Sequence, residues 1–456
     1  MNFIEETKKI NKEYHYFNVI SEDLAKELAK KSKGKLKDVF VSVKDCICVK
    51  DVESRAGSKI LSGYKPVFNA TVVSKVKKEG GVVIGKTAQD EFGFGSFCVN
   101  VGIDMEIPLN PFDKERACGG SSGGAAGFTQ KASFRHIAIA ESTGGSIVAP
   151  ACFCGVVGLC PTYGRVSRYG MMDYANSLDK IGPIAKNVSD AALMLEVISG
   201  NDDNESTTLD EPVDDYTSFV GKDVKGMKIG VIKETFGKGV DKEVEKKVKE
   251  AIEKLKKKGV QVEEVSLPLT TKYGLSVYYI IATAEASTNL AKYCGMRYGQ
   301  HEKLEGGAGK TGFSGTHALG FNEYFTKIRS ENLGEEAKRR IMLGTFTRMA
   351  GYRDAYYIKA MKVRTKIIEE YKKLFSKYDA LVSPTMPVLA PKIKEIEKMT
   401  AMQNYKMDIL TVGPNLAGLP HISIPVGDVN GLPVGLMLIG DHLEEKKIIQ
   451  LGSGLE

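Results

Sequence analysis

Val39-Phe40-Val41-Ser42-Val43, then Ala70 to Glu79, then Gly80-Gly81-Val82-Val83-Ile84 is the stretch that decides the fold. The first segment is a short β-branched run ending at Lys44-Asp45, which predicts a strand. Ala70 to Glu79 has apolar residues at helical spacing and stops at a Gly-Gly pair, and Val82-Val83-Ile84 again reads as a strand. Strand, helix and strand in that order predict an α/β sheet with helices on its faces.

The same alternation continues outward. Residues 1–37 read as helical and polar, with Ser21 as the expected cap before Leu24, Ala25 and Leu28. Asn187 to Ser199 and Asp241 to Lys258 read as amphipathic helices, and helices are expected again from Glu335 to Lys377. Gly226 to Ile232, Ile422 to Val426 and Pro433 to Ile439 read as strands, with loops at Asn201 to Asp223 and Leu304 to Gly320. No period of 20 to 50 residues repeats, and no linker divides the chain, so residues 1–456 read as one large domain.

Composition narrows the class. The 456 residues are 42% apolar, 27% charged and 8% aromatic, which excludes collagen-like, disordered and small disulfide-scaffold proteins. Net charge is +7, from 64 basic and 57 acidic residues, and much of the excess sits in Lys246 to Lys258, read as a solvated helix face. The charged start from Met1 to Ile10 does not read as a signal peptide, and no apolar run reaches membrane-spanning length, so a cytoplasmic protein is expected. The pairs Cys46/Cys48 and Cys152/Cys154 lack zinc-site spacing and read as small buried hydrophobes; no metal site is expected.

Residues 117–160 differ in kind, being rich in Gly, Ser and Ala and almost free of charge. Gly120-Ser121-Ser122-Gly123-Gly124 fits a hydrolase nucleophile elbow, which would need a later histidine among His301, His317, His421 and His442. Gly306 to Thr311 superficially resembles a phosphate-binding loop, but Leu304 stands where its first glycine belongs. A third constellation joins Lys44 at a strand end to Gly119-Gly120-Ser121-Ser122-Gly123-Gly124 and Thr143-Gly144-Gly145-Ser146. Burial disfavours the ammonium form of a lysine and makes it a proton acceptor. Consecutive glycines before a serine let backbone N–H groups converge on an oxyanion, and a serine hydroxyl there can be activated by a second serine that relays its proton to the lysine. Chemistry alone leaves the plainer readings open: Lys44-Asp45 as a surface turn, the Gly-Gly-Ser segments as loops or caps.

The three strings Gly119–Gly124, Thr143–Ile147 and Cys154–Leu159 together resemble the amidase signature family. Pro161–Gly170, Lys338–Thr345, Asp354–Tyr357 and Asn415–Pro420 resemble, more narrowly, the A subunits of the amidotransferases that act on Glu-tRNA(Gln) or Asp-tRNA(Asn). The resemblance implies a mixed, twisted sheet covered by helices on both faces, with residues 117–200 as its signature core. It implies a Ser–cis-Ser–Lys triad in which Ser146 is the nucleophile, Ser121 the bridge and Lys44 the base, with Thr143, Gly144, Gly145 and Ser146 itself as oxyanion-hole backbone. A glutamine pocket is implied at Tyr278, Arg340 and Asp408, with Arg340 gripping the α-carboxylate bidentately and Asp408 the α-ammonium. The implied partners are glutamine and the B and C subunits of the amidotransferase. Misacylated tRNA, ATP and Mg²⁺ are handled mainly by the B partner, and this chain carries no cofactor. A free-standing amidase for another small amide and a catalytically weakened scaffold are the alternative readings.

The chain departs from the family pattern at Ser142, where an Asp is usual, and at Val148, where an Arg is usual; the two read as a salt bridge replaced as a unit. Ala149 stands for a usual Gln and Cys160 for a usual Lys.

Overall fold

In the computed structural model, which describes residues 3–300 and 321–456, eleven strands form one sheet. They are β1 (Phe17–Ile20), β2 (Phe40–Lys44), β3 (Val82–Thr87), β4 (His136–Ser142), β5 (Val157–Cys160), β6 (Lys180–Ala185), β7 (Lys228–Ile232), β8 (Gln261–Val265), β9 (Ala380–Pro384), β10 (His421–Val429) and β11 (Leu432–Ile439). Their order is β1-β3-β2-β4-β6-β5-β10-β11-β9-β7-β8. The sheet is mixed: β2 runs parallel to β3 and β4, and β7 to β8 and β9, while the remaining pairs are antiparallel.

Alternation along the strands builds two cores. Val41, Val43, Val83, Ile137 and Ile139 pack with Val72, Val73 and Val76 of the helix Thr71–Lys78. Their neighbours Val82, Ile84, Ala138 and Ala140 pack with Ala125, Ala126 and Phe128 of the helix Gly123–Lys131. Side chains two apart share a face, so each strand feeds both layers, and each layer needs its own helices to exclude water. The small residues of the second helix have a steric reason: a Cβ on Gly127 would lie 2.3 Å from the Tyr16 ring, and one on Gly124 2.5 Å from the Tyr16 carbonyl oxygen.

Most expected elements form, with informative exceptions. The segment 1–37 is not wholly helical: β1 lies between the helices Phe3–Tyr14 and Glu22–Lys31, and pairs with β3. Ser21 does not cap the second helix through its side chain, because its backbone (φ −92°, ψ 68°) holds the hydroxyl away from the helix N–H groups. The helix Glu445–Ser453, which follows the last strand, was not foreseen. The helix Lys242–Lys257 buries Val244, Val248, Ala251, Ile252 and Leu255 and is capped by Asp241, leaving its lysines on the outer face. The four cysteines of the Cys-x-Cys pairs are buried and free within apolar clusters. Leu304 to Gly320, with the phosphate-loop resemblance, His301 and His317, lies outside the described residues. Among the described residues no helix is long and apolar enough to cross a membrane.

Because β2 and β4 are parallel, Lys44 and Ser142 both lie at carboxyl ends on one edge of the sheet, the edge where open α/β sheets place their ligands. The helices Pro268–Asn289 and Glu335–Arg348 pack against each other with Gly344 as the point of closest approach. A Cβ there would lie 1.8 Å from the Thr283 carbonyl oxygen. Gly344→Ala is expected to lower stability by about 1–3 kcal/mol, seen as a lower urea midpoint with unchanged m-value.

Candidate active site

Lys44, the last residue of β2, is fully buried. Its Nζ donates to Ser121 Oγ at 2.6 Å, to the Glu141 carbonyl oxygen at 3.0 Å and to Glu141 Oε2 at 2.8 Å. The lysine is therefore not a surface turn; three acceptors surround it. Ser121 follows a cis peptide bond from Gly120 and lies just before the helix Gly123–Lys131.

Ser146 follows β4 by four residues and precedes the short helix Val148–Phe153. It is 7% exposed, and its hydroxyl has no hydrogen-bond partner among the described residues. Thus Lys44 and Ser121 are joined, whereas Ser121 and Ser146 are not hydrogen-bonded to each other. In the turn itself, Gly145 N–H donates to Ser142 Oγ at 3.1 Å, so one of the expected oxyanion-hole amides is already engaged. The amides of Thr143, Gly144 and Ser146 have no acceptor among the described residues. Glycine is required by close approach: a Cβ on Gly144 would meet the Tyr278 hydroxyl at 2.5 Å, and one on Gly145 the Thr411 hydroxyl at 2.3 Å.

Arg340 is buried inside an aromatic cage. Its guanidinium carbon lies 5.2 Å from the ring centre of Phe94, 5.3 Å from those of Tyr279 and Tyr405 and 5.8 Å from that of Tyr174. Nε donates to Glu336 Oε1 at 2.8 Å and Nη1 to the Tyr174 hydroxyl at 2.7 Å, so Nη2 is the nitrogen left for a ligand. A side-on bidentate grip through Nε would first have to displace Glu336. Asp408 accepts from the Tyr279 hydroxyl at 2.7 Å, and burial pushes its carboxyl above the ordinary range. Tyr278, the expected pocket residue, packs over Gly144, and its neighbour Tyr279 is the one that reaches Asp408. Beside Arg340 lies a cavity of about 110 Å³ lined by Ser96, Asn100, Glu336, Asn404 and Tyr405 among others.

The residues read as departures from the family pattern are all buried. Val148, Ala149 and Cys160 are buried in the cores, and Ser142 is buried with its hydroxyl on the Gly145 amide. Ser122, the serine a hydrolase elbow would use, bonds to the Glu141 carbonyl oxygen. His421 and His442 bond to Leu419 and Ala417 carbonyl oxygens, and neither is hydrogen-bonded to Ser122. Burial holds His421 well below the ordinary imidazole range. No cluster of three or more His, Cys, Asp or Glu that could hold a metal occurs among the described residues.

Several residues of this region escaped the sequence reading, Glu141 and Glu91 among them. Glu141 is the lone acid of β4, and that isolation within a nearly uncharged stretch was the available signal. Glu91 carries no such signal, since its role depends on a distant segment. Its carboxylate accepts from the Ser58 hydroxyl and, at 2.8 Å, from Gly334 N–H, the amide leading into the helix that carries Arg340.

Residues 2–449 match the Amidase family. The chain belongs to that family. It is similar to the A subunit of glutamyl-tRNA(Gln) amidotransferase from Halothermothrix orenii, 46% identical over 97% of this chain and 89% of the relative. It is also 48% identical to the protein of that name from Staphylococcus epidermidis, over 93% of this chain and 84% of the relative. The crystal structure of the glutamyl-tRNA(Gln) amidotransferase A subunit from Thermotoga maritima superposes with a TM-score of 0.79 at 38% identity, covering 98% of this chain and 89% of that one. This amidase thus shares both sequence and fold with the tRNA-dependent amidotransferase branch, as its motifs led one to expect.

Burial pushes the Glu91 carboxyl up to about 7. A carboxyl whose folded pKa exceeds its unfolded value keeps a proton that the unfolded chain has lost. Its contribution to stability is therefore present below about pH 4.3, declines as pH rises and levels off above about 7. Glu91→Gln is expected to remove that slope between about pH 4.5 and 7, measured as the pH dependence of the urea midpoint.

Proposed function

We propose that this chain is the glutamine-hydrolysing subunit of a tRNA-dependent amidotransferase, supplying ammonia that converts Glu-tRNA(Gln) to Gln-tRNA(Gln). The observation that carries the reading is the buried Lys44–Ser121 hydrogen bond beside the Thr143–Ser146 turn. The caged Arg340 and the half-buried Asp408 suit a zwitterionic amino acid, which a general amidase has no need to bind. The names of the relatives support the tRNA and favour the Gln over the Asn product.

In this reading Ser146 attacks the side-chain amide of glutamine, Ser121 takes its proton, and Lys44 takes the proton that Ser121 gives up. The tetrahedral oxyanion is met by the unengaged amides of the turn, where no solvent reorganisation is needed. Ammonia leaves with a proton returned along the same route, and water then cleaves the glutamyl ester. The carboxylate of the substrate meets Arg340 Nη2, and its ammonium meets Asp408. Ammonia passes to a partner B subunit, which uses ATP and Mg²⁺ on the misacylated tRNA, and the pair is braced by a small C subunit. The complex works in the cytoplasm.

The test is release of glutamate and ammonia from glutamine by the chain assembled with its B and C partners. Ser146→Ala, Ser121→Ala and Lys44→Ala are each expected to lower kcat/KM by at least about 10³-fold. Arg340→Ala should raise KM for glutamine by about 10- to 100-fold, the worth of a charge-assisted hydrogen bond. Turnover of simple amides but not glutamine would identify a free-standing amidase, and no turnover with partners present would leave a scaffold.

A further inference from the structure

Thr143 poses a problem of proton counting. Its Oγ1 lies 2.8 Å from Glu141 Oε1 and 2.7 Å from Asp179 Oδ1. A hydroxyl has one proton to donate, and ionised carboxylates have none. One of the two contacts is therefore donated by a carboxylic acid, and the Glu141–Thr143–Asp179 chain carries a single negative charge.

The surroundings decide which carboxyl keeps the proton. Asp179 is buried, and Arg168, the cation that acts on it, is hydrogen-bonded elsewhere, to the Asn176 carbonyl oxygen, Glu205 and Thr207. Its Oδ2 accepts the Tyr174 and Ala175 amides at 2.9 Å each, which leaves Oδ1 to hold a proton toward Thr143. Burial and the charge of Glu141 push the Asp179 carboxyl well above the ordinary range. Glu141 faces a cation instead, with Oε2 2.8 Å from Lys44 Nζ. The three N–H bonds of a Lys44 ammonium are matched one for one by Ser121 Oγ, the Glu141 carbonyl oxygen and Glu141 Oε2.

We infer that Glu141 is the terminal proton acceptor of this site, with Lys44 an ammonium relay rather than the final base. The inference rests on the reading of Ser146 as nucleophile. As the Ser146 Oγ–H bond breaks and Oγ bonds to the acyl carbon, that proton forms a new O–H on Ser121. For Lys44 to accept the proton that Ser121 gives up, one Lys44 N–H proton first passes to Glu141 Oε2, and the lone pair so freed on Nζ turns to Ser121 and takes the former Ser121 proton. Lys44 begins and ends as an ammonium, and the negative charge moves from Glu141 to the tetrahedral oxyanion. On collapse the Glu141 proton returns by the same path to the leaving nitrogen. Acting through Lys44, Glu141 is a positioning residue whose mark is the pH profile.

The other titratable groups facing the cluster are few in the working range. Cys46, Cys98 and Asp90 face Lys44, Cys160 faces Glu141, and Tyr163, Tyr174, Arg168 and Asp173 face Asp179. Burial pushes the three thiols and both phenols up, and pushes Asp90 up to about 6.

The test is the rate at which a fluorophosphonate probe phosphonylates Ser146 with loss of fluoride in the full chain, followed by intact-protein mass spectrometry across the pH range. It needs no natural amide, so it stands apart from glutamine turnover. The wild-type rate is expected to be level from about pH 7 to 9, above the range in which Asp90 titrates. In Glu141→Gln, Lys44 must shed its own proton first. The rate should fall at least about 100-fold at pH 7 and rise with pH across the range where the wild type is level. In Asp179→Asn, the amide donates to Thr143 as the acid did and its oxygen still accepts the two backbone amides, so rate and profile should stay within about threefold of wild type. Three results would overturn the inference: a wild-type profile in Glu141→Gln, a large loss in an Asp179→Asn protein that still melts cooperatively, or a wild-type Ser146 that does not label. If Glu141→Gln does not fold, Asp179→Asn decides alone. Labelling with the expected profiles but no glutamine turnover would overturn only the glutaminase reading.

Discussion

The site depends on a lysine side chain taken wholly out of water at the end of a central strand. An unpaired ammonium in that position would cost several kcal/mol, so every polar atom around Lys44 has to be in place before the strand can carry it. The acceptors come from two segments remote in sequence, Ser121 ahead of a glycine-rich helix and Glu141 near the end of β4. The parallel pairing of β2 with β4 brings them to one sheet edge, and the helix Gly123–Lys131 can press close because its glycines meet Tyr16 and Ala88 without a Cβ. The fold and the proton path are in this sense a single requirement.

The second constraint is the cage around Arg340. A guanidinium between Phe94, Tyr174, Tyr279 and Tyr405 keeps its charge through ring faces and through Glu336, and has one nitrogen left for a ligand. The helix that carries it is tied to the β3 end of the sheet by Glu91 at its N-terminus and is pressed onto the neighbouring helix at Gly344. Position of the charge, and not merely its presence, is what these contacts supply.

Near the turn, where the family resemblance leads one to expect ionic groups, the structure shows packing. Val148, Ala149 and Cys160 fill apolar cores, and Ser142 takes one backbone amide. The carboxylate appears instead one residue earlier than Ser142, at Glu141, and points at the lysine. Well-packed apolar groups can substitute for a buried ion pair at little cost, which explains how the turn survives those changes.

The strand–helix–strand run from Val39 to Ile84, the helices at 187–199 and 241–258, the paired last strands and the buried cysteines were legible in the sequence, since period and residue type are local properties. Lys44, Ser121 and Ser146 were singled out through the family resemblance of the glycine-rich strings, and the structure joins Lys44 to Ser121. What only the tertiary structure decided are pairings between distant segments. β1 was passed over inside a segment read as polar and helical, although Phe17-Asn18-Val19-Ile20 has strand composition; its pairing with β3 fixes it as a strand. The roles of Glu141, Asp179, Tyr279 and Glu91 depend on which atoms face one another across 36 to 243 residues of chain. Local sequence sets what each segment prefers to become; the count of donors and acceptors at a buried site exists only after those segments have met.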